Sequence, residues 1–154
     1  MHNDLWTHAV ALYGRPGVQQ SCLALQSRGA NVCLLLCVAW LGETGVAFST
    51  QRLAALAEVA DAWHGEVVAP LRQLRQQWRA QALADDALRR LREQVKGLEL
   101  QAERVLLERL QAQCNEWPRE GAADVQVWLE QAVPREARDN RGALHVLRAA
   151  VTST

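Results

Sequence analysis

Apolar residues recur three and four positions apart along almost the whole sequence, and no stretch alternates apolar and polar residues over more than four positions. This spacing is the periodicity of amphipathic α-helices. Hydrophobic residues make up 49% and charged residues 22% of the 154 residues, a globular composition that excludes wholesale disorder. The sequence therefore predicts an all-α fold, a compact bundle of about five main helices with a helical C-terminal tail.

Capping residues and helix breakers mark where these helices begin and end. Asn31 and Ser49 or Thr50 are predicted N-caps, and Gly29 is a predicted C-terminal stop. Pro70 lies inside an apolar pattern, so it should kink or divide that helix. The longest predicted helix begins at Asp85 or Asp86 and reaches about Asn115.

Trp117 and Pro118 end that long helix and suggest a division of the chain. We expect residues 1–116 to form a helical bundle domain. Residues 117–154 then form a helical appendage, which packs on the bundle or on a partner.

The long helix carries two apolar sets. The first alternates three and four apart and predicts a seam for another helix, formed by Leu88, Leu91, Val95, Leu98, Ala102 and Val105. The second set, Leu100, Leu107 and Cys114, is spaced by seven on the side away from that seam. Because a helix that is apolar on two sides must bury both, the second set predicts an interface with the tail or with a partner subunit.

Charge is unevenly distributed in a chain whose total charge is zero. Residues 71–115 carry nine basic and six acidic groups. Arg72, Arg75 and Arg79 form one helical stripe, and no acidic residue lies between Glu66 and Asp85. These three arginines are the predicted site for an anionic ligand or acidic partner, because guanidinium groups suit phosphates and carboxylates. A solvated helix face is the alternative interpretation.

Complete catalytic and metal-binding motifs are missing from the sequence. Nothing places a histidine beside a thiol or hydroxyl nucleophile, and there is no phosphate-binding glycine loop. Asp61 and His64 with Glu99 and Glu103 provide only part of a bundle metal site, so neither a metal nor a cofactor is predicted. The neutral total charge makes a nucleic-acid partner an unfavoured hypothesis.

The N-terminus shows no secretory signal pattern, and the apolar run from Val32 to Leu41 is too short to cross a bilayer. We therefore expect a cytoplasmic protein without a membrane span. In that compartment the four cysteines, among them Cys33 and Cys37 on one helix face, are interpreted as buried free thiols.

The sequence contains six tryptophans but only one phenylalanine and one tyrosine. Trp40, Trp63 and Trp78 fall on predicted apolar faces. They are either core residues or the lining of an apolar pocket between helices.

Several ordered motifs resemble an uncharacterised bacterial family of about this length, a domain of unknown function. They are Leu5-Trp6, Leu12-Tyr13, Pro16-Gly17-Val18, Cys22-Leu23, Leu25-Gln26, Gly29-Ala30-Asn31-Val32 and Leu34-Leu35-Leu36, followed by Pro70-Leu71-Arg72 with Leu74-Arg75 and Glu99-Leu100 with Glu103-Arg104. The resemblance covers about residues 4–110 and implies one compact domain without an assigned activity. It also draws attention to the polar residues Gln26, Asn31, Arg72, Arg75, Glu99 and Glu103.

Three functional hypotheses follow. The first is a non-catalytic cytoplasmic interaction or adaptor protein, which self-associates as a homodimer or binds another protein. The second is a module that binds an anionic ligand or acidic partner through the arginine stripe. The third is an enzyme or carrier with an apolar pocket between helices.

Overall fold

The computed structural model describes residues 4–122 and 124–152. These residues are mostly helical and contain no β-strand. The α-helices are α1 Leu5–Tyr13, α2 Val18–Gln26, α3 Val32–Glu43, α4 Thr50–Trp63, α5 Ala69–Gln77, α6 Arg79–Ala82, α7 Asp86–Cys114, α8 Val125–Ala132 and α9 Arg141–Thr152. A π-helical turn, His64–Val68, joins α4 to α5, and a 3-10 turn, Arg135–Ala137, precedes α9. The all-α prediction is confirmed, with more helices than the five expected.

Side-chain caps fix where several helices begin. The Asn31 side chain accepts a hydrogen bond from the Leu34 amide at 3.1 Å, and the Ser49 hydroxyl accepts one from the Arg52 amide at 3.1 Å. Asp85 caps α7 in the same way through the Leu88 amide. These bonds satisfy amides that have no partner within the helix. The N-caps predicted at Asn31 and Ser49 are thereby confirmed.

α3 lies at the centre of the fold. Every residue from Cys33 to Gly42 is buried, because α1, α7 and α8 pack around this helix and α9 also contacts it. The apolar run of the sequence is thus a core helix, as predicted. No helix in the described part of the chain is both long enough and apolar enough to span a membrane.

The C-terminal tail belongs to the same hydrophobic core as the bundle. α8 packs on α3, and α9 packs on α2. Trp128 of α8 is fully buried, and its indole N–H donates to the Val46 carbonyl at 2.9 Å. Leu129 and Leu147 are buried in the same cluster. Of the two expected positions for the tail, the structure therefore shows the one on the bundle.

The helix that begins with α4 changes its hydrogen-bond pattern just before Pro70. In the π-turn the Ala69 amide donates to the carbonyl of His64, five residues earlier. Proline has no amide hydrogen to continue the regular α-helical pattern. The division of the helix predicted from Pro70 is confirmed, and its form is a π-turn.

α7 has two halves with different surroundings. Its 29 residues span about 43 Å at ~1.5 Å per residue. The half from Ala102 to Cys114 packs on α1, α3 and α4, whereas the N-terminal half pairs with α5 and α6. We call residues 69–100 the arm, because α5, α6 and this half of α7 pack mainly on one another.

Candidate functional site

A buried carboxylate joins the two sides of the arm. Glu99 of α7 is only 6% exposed, and its Oε2 accepts from Arg72 Nε at 2.9 Å while its Oε1 accepts from Arg75 Nε at 2.6 Å. Arg75 Nη2 adds a third hydrogen bond to Oε2 at 3.3 Å. We call these three residues the Glu99 cluster.

The local structure explains why the cluster forms. Arg72 and Arg75 are three residues apart on α5, so both side chains project from one face of that helix towards α7. The Arg75 carbonyl also accepts from Arg92 Nε at 2.8 Å, which adds a second polar link between α5 and α7. The cluster therefore fixes α5 against α7.

The electrostatics of Glu99 follow from this geometry. Burial alone would raise the pKa of Glu99, but the hydrogen bonds from Arg75 and Arg72 together lower it below its usual value. The hydrogen bond to Glu99 in turn raises the pKa of Arg75. Glu99 is therefore ionised at neutral pH, and its role is to bind the two arginines.

A narrow polar pocket lies beside the Glu99 cluster, one turn further along α7. Its volume is about 10 Å³, room for about one water molecule. Its polar lining consists of Gln26, Asn31, Cys33, His64, Arg72 and Glu103. Burial raises the pKa of Glu103 and lowers the pKa of His64, so both side chains are biased towards their neutral forms.

The pocket and the Glu99 cluster together contain the six polar residues to which the family resemblance draws attention. Gln26, Asn31, Arg72 and Glu103 line the pocket, and Arg75 and Glu99 complete the cluster. Asn31 also caps α3. The pocket is too small for an organic ligand, and its lining residues come from α2, α3, the π-turn, α5 and α7.

The three arginines of the predicted stripe lie in two different environments. Arg72 and Arg75 do not form a free anion-binding surface, because Glu99 occupies both guanidinium groups. Glu99 lies 27 residues after Arg72 and 24 residues after Arg75. The lack of an acidic residue near the arginines in sequence therefore did not reveal this ion pairing. Arg79 is exposed and forms no ion pair within residues 4–122 and 124–152.

The residues of the predicted interface lie in two different environments. Leu107 and Cys114 are buried by the chain itself, and Cys114 Sγ lies 3.9 Å from Cys37 Sγ of α3. These two side chains are therefore not available to a partner, which corrects that part of the expectation. Leu100 is 59% exposed.

The residues of the predicted seam on the other side of α7 also differ in their burial. Val95 and Ala102 are buried, but Leu91 and Leu98 are each 51% exposed. Together with neighbouring residues they form an uncharged line with alternating spacings of four and three, which we call the α7 stripe: Ala87, Leu91, Gln94, Leu98, Gln101 and Val105. This is the spacing of a coiled-coil seam. Sequence reasoning missed the two glutamines, although their heptad positions were visible.

The three tryptophans of the predicted pocket lie in different surroundings. Trp40 is buried in α3 beneath the guanidinium of Arg119. The Trp63 indole N–H donates to the Ala102 carbonyl at 2.8 Å. Trp78 lies at the end of α5. None of the three lines the narrow pocket or the larger cleft near the C-terminus.

The cysteines are buried free thiols, as interpreted from the sequence. Burial raises the pKa of Cys22 to about 12 and also raises that of Cys33, so neither is a thiolate at neutral pH. No group of three His, Cys, Asp or Glu side chains in the described ranges is placed to hold a metal ion. Of the four residues considered for a metal, Asp61 is exposed and Glu99 is bound by arginine.

Fold and site together define a class: an all-α protein in which a helical core carries a helical arm, and a buried arginine–glutamate cluster joins the two sides of that arm. Residues 4–110 match the family model of a protein of unknown function, DUF2390. The chain belongs to this family, which confirms the resemblance seen in the sequence. The search of curated proteins found no match, and the search of solved structures found none.

Proposed function

We propose that this protein is a non-catalytic helical interaction protein and that the α7 stripe docks on an acidic protein partner. The observation that carries the proposal is the exposure of Leu91 and Leu98 at heptad spacing on a long helix. In a coiled coil the a and d positions pack into a facing helix, and here no helix within residues 4–122 and 124–152 covers Leu91 and Leu98.

The glutamines of the stripe are compatible with such a seam. Gln94 and Gln101 lie at d positions when Leu91 and Leu98 are given the a positions. Polar residues at a minority of core positions set the register of a coiled coil at some cost in stability. A seam of this composition suits a regulated, reversible complex better than a permanent one.

The charge next to the stripe favours an acidic partner. Residues 69–100 carry seven Arg and Lys against four Asp and Glu, whereas the whole chain is neutral. Arg90 and Arg104 lie at g positions beside the stripe, where coiled-coil charges select a partner. A second copy docked antiparallel would set g positions against g positions and bring these arginines together, whereas an acidic amphipathic helix would offer them opposite charges, so the acidic helix fits better.

A cytoplasmic location is part of the proposal. All four cysteines are buried and unpaired, which is the usual state of thiols in a reducing compartment. Fractionation of the producing cells with antibody detection tests this location, and recovery in a membrane or extracellular fraction would contradict it.

Docking can be measured with two synthetic helical peptides of about four heptads, both with leucine at a and d positions. One peptide has glutamate and the other lysine at the e and g positions. In fluorescence anisotropy titrations we expect the acidic peptide to bind at least about tenfold more tightly, and added salt to weaken that binding.

The matched variants are Leu91→Ser with Leu98→Ser, and Leu83→Ser with Leu100→Ser. All four leucines are at least half exposed, but only the first two lie on the α7 stripe. The first pair should abolish peptide binding and the second should preserve it. Equal binding of both peptides, or equal loss in both variants, would contradict the proposal.

Light scattering after size-exclusion chromatography tests whether a second copy of the chain binds the α7 stripe instead. A dimer that disappears only in the Leu91→Ser, Leu98→Ser variant would assign the α7 stripe to a second copy of the chain. That result would overturn the acidic-partner proposal, whereas a monomeric unsubstituted protein agrees with it.

A further inference from the structure

A second candidate site lies in the C-terminal tail, outside the residues matched by the family. α8 and α9 border a cleft of about 480 Å³. This volume is within the usual range of ~300–1,000 Å³ for sites that bind small molecules. The cleft shares no lining residue with the narrow polar pocket.

The rim of the cleft is basic. Arg138, Arg141 and Arg148 line it together with His145, and Glu130 is the one carboxylate in the lining. Arg138 and Arg141 form no ion pair with any carboxylate in the described part of the chain. Their guanidinium groups therefore retain donors for an external oxyanion.

Hydrogen bonds within the lining orient part of the rim. Arg148 Nη1 donates to Gln126 Oε1 at 2.5 Å, and Gln126 Nε2 donates to Glu130 Oε1 at 2.9 Å. Arg138 Nε donates to the Val133 carbonyl at 3.3 Å, which leaves its terminal nitrogens for a ligand. The single acid is thus held by an amide of the cleft, and it neutralises neither Arg138 nor Arg141 directly.

The floor of the cleft is apolar. Leu129 is buried and Leu144 is half-buried, and both line the cleft below the charged rim. An apolar floor beneath a basic rim matches a molecule that has an anionic group at one end and a hydrocarbon or aromatic group at the other.

We propose that this cleft binds a small organic anion, a phosphate ester or a carboxylate. Its oxyanion contacts Arg138 and Arg141, and its apolar portion lies on Leu129 and Leu144. The sequence signal is the spacing of Arg141, His145 and Arg148 by four and three, which places these side chains on one face of α9, with Arg138 just before that helix.

Isothermal titration calorimetry on the full chain tests the site with phenyl phosphate, benzoate, inorganic phosphate and neutral phenol. We expect phenyl phosphate, benzoate or both to bind, and phenol not to bind, because the oxyanion supplies the specific contacts. Preference for one of the two anions identifies which oxyanion the cleft takes. Inorganic phosphate should bind at least about threefold more weakly than phenyl phosphate, since it lacks an apolar group.

Two charge-matched double variants complete the test. Arg138→Gln with Arg141→Gln should weaken binding at least about tenfold, because two charge-assisted contacts are lost. Arg89→Gln with Arg135→Gln removes the same charge outside the cleft and away from the α7 stripe, and it should leave binding within about twofold. Failure of both aromatic anions to bind, or equal weakening in the two double variants, would overturn the proposal. Neither result would affect docking of the α7 stripe.

Discussion

At the scale of single residues, Glu99 and Glu103 show how two carboxylates one turn apart acquire different properties. Glu99 receives three hydrogen bonds from two arginines, whereas Glu103 is partly buried and its Oε2 lies 3.9 Å from Arg72 Nη2. Accordingly the pKa of Glu99 is lowered and that of Glu103 is raised. The sequence gives the spacing of the two glutamates, but the difference between them depends on which one faces α5.

Substitution Glu99→Gln should destabilise the protein by about 3 kcal/mol, because it leaves Arg72 and Arg75 without their shared carboxylate. Urea unfolding followed by far-ultraviolet circular dichroism measures the change. The control is Glu93→Gln, which removes an exposed pair with Lys96 and should cost less than about 1 kcal/mol. Equal effects of the two substitutions would contradict the assigned role of Glu99.

Substitution Glu103→Gln should stabilise the protein at neutral pH. The pKa of Glu103 is raised in the folded state, so its contribution to stability is greatest when it is protonated and is lost as pH rises. The stabilisation by glutamine should therefore fade as pH falls through the raised pKa of folded Glu103, and it should be absent below about 4.3, the ordinary pKa of glutamate. Melting temperatures of both proteins between pH 4 and pH 8 provide the test, and a difference that does not vary with pH would refute it.

At the scale of elements, α7 and its neighbours show which helix faces are closely packed and which are open. At Gly42 of α3, a Cβ atom would lie 2.7 Å from the Val125 Cα, so α8 approaches α3 backbone to backbone. At Gly97 of α7, a Cβ would meet no atom within 4 Å. The same residue type thus serves close packing in the core and lies on an open surface in the arm.

Alanine at these two glycines should have opposite effects. Gly97→Ala should stabilise the protein by about 0.5–1 kcal/mol, because alanine is the better helix former and the added methyl group has space. Gly42→Ala should destabilise it by about 1–3 kcal/mol, because α8 must shift away from α3. Chemical denaturation of both variants measures the changes in stability. A gain in stability from Gly42→Ala would contradict the close approach of α8 to α3.

At the scale of the whole molecule, the tail and the bundle form one core. Trp128, Leu129 and Leu147 belong to the same buried cluster as α3. Arg15 also donates a hydrogen bond to the Ala150 carbonyl, which links the two ends of the described chain. Residues on both sides of the boundary suggested near Trp117 therefore contribute to the same buried cluster.

A chain that ends at residue 116 should not fold cooperatively, because the surfaces of α2 and α3 that α8 and α9 cover would be exposed. We expect a broad thermal transition and increased binding of a hydrophobic dye. Trp128→Ala in the full chain should show the same tendency, with a loss of about 3–5 kcal/mol. A sharp transition in the shortened chain at the melting temperature of the full chain would show that residues 1–116 are self-sufficient.

The sequence by itself determined the elements of this protein. Caps at Asn31 and Ser49, the break before Pro70 and the apolar run of α3 are local signals, because hydrogen bonds and hydrophobic periodicity within a few residues decide them. Periodicity also shows which residues share one face of a helix. It does not show what lies opposite that face.

Only the tertiary structure decided the partners. It placed Glu99 against Arg72 and Arg75, covered Leu107 and Cys114 with the chain itself, and left Leu91 and Leu98 exposed. It also set α8 and α9 around a basic cleft. Each of these outcomes depends on how helices far apart in sequence are rotated and packed against one another, and one amphipathic pattern is compatible with several such arrangements.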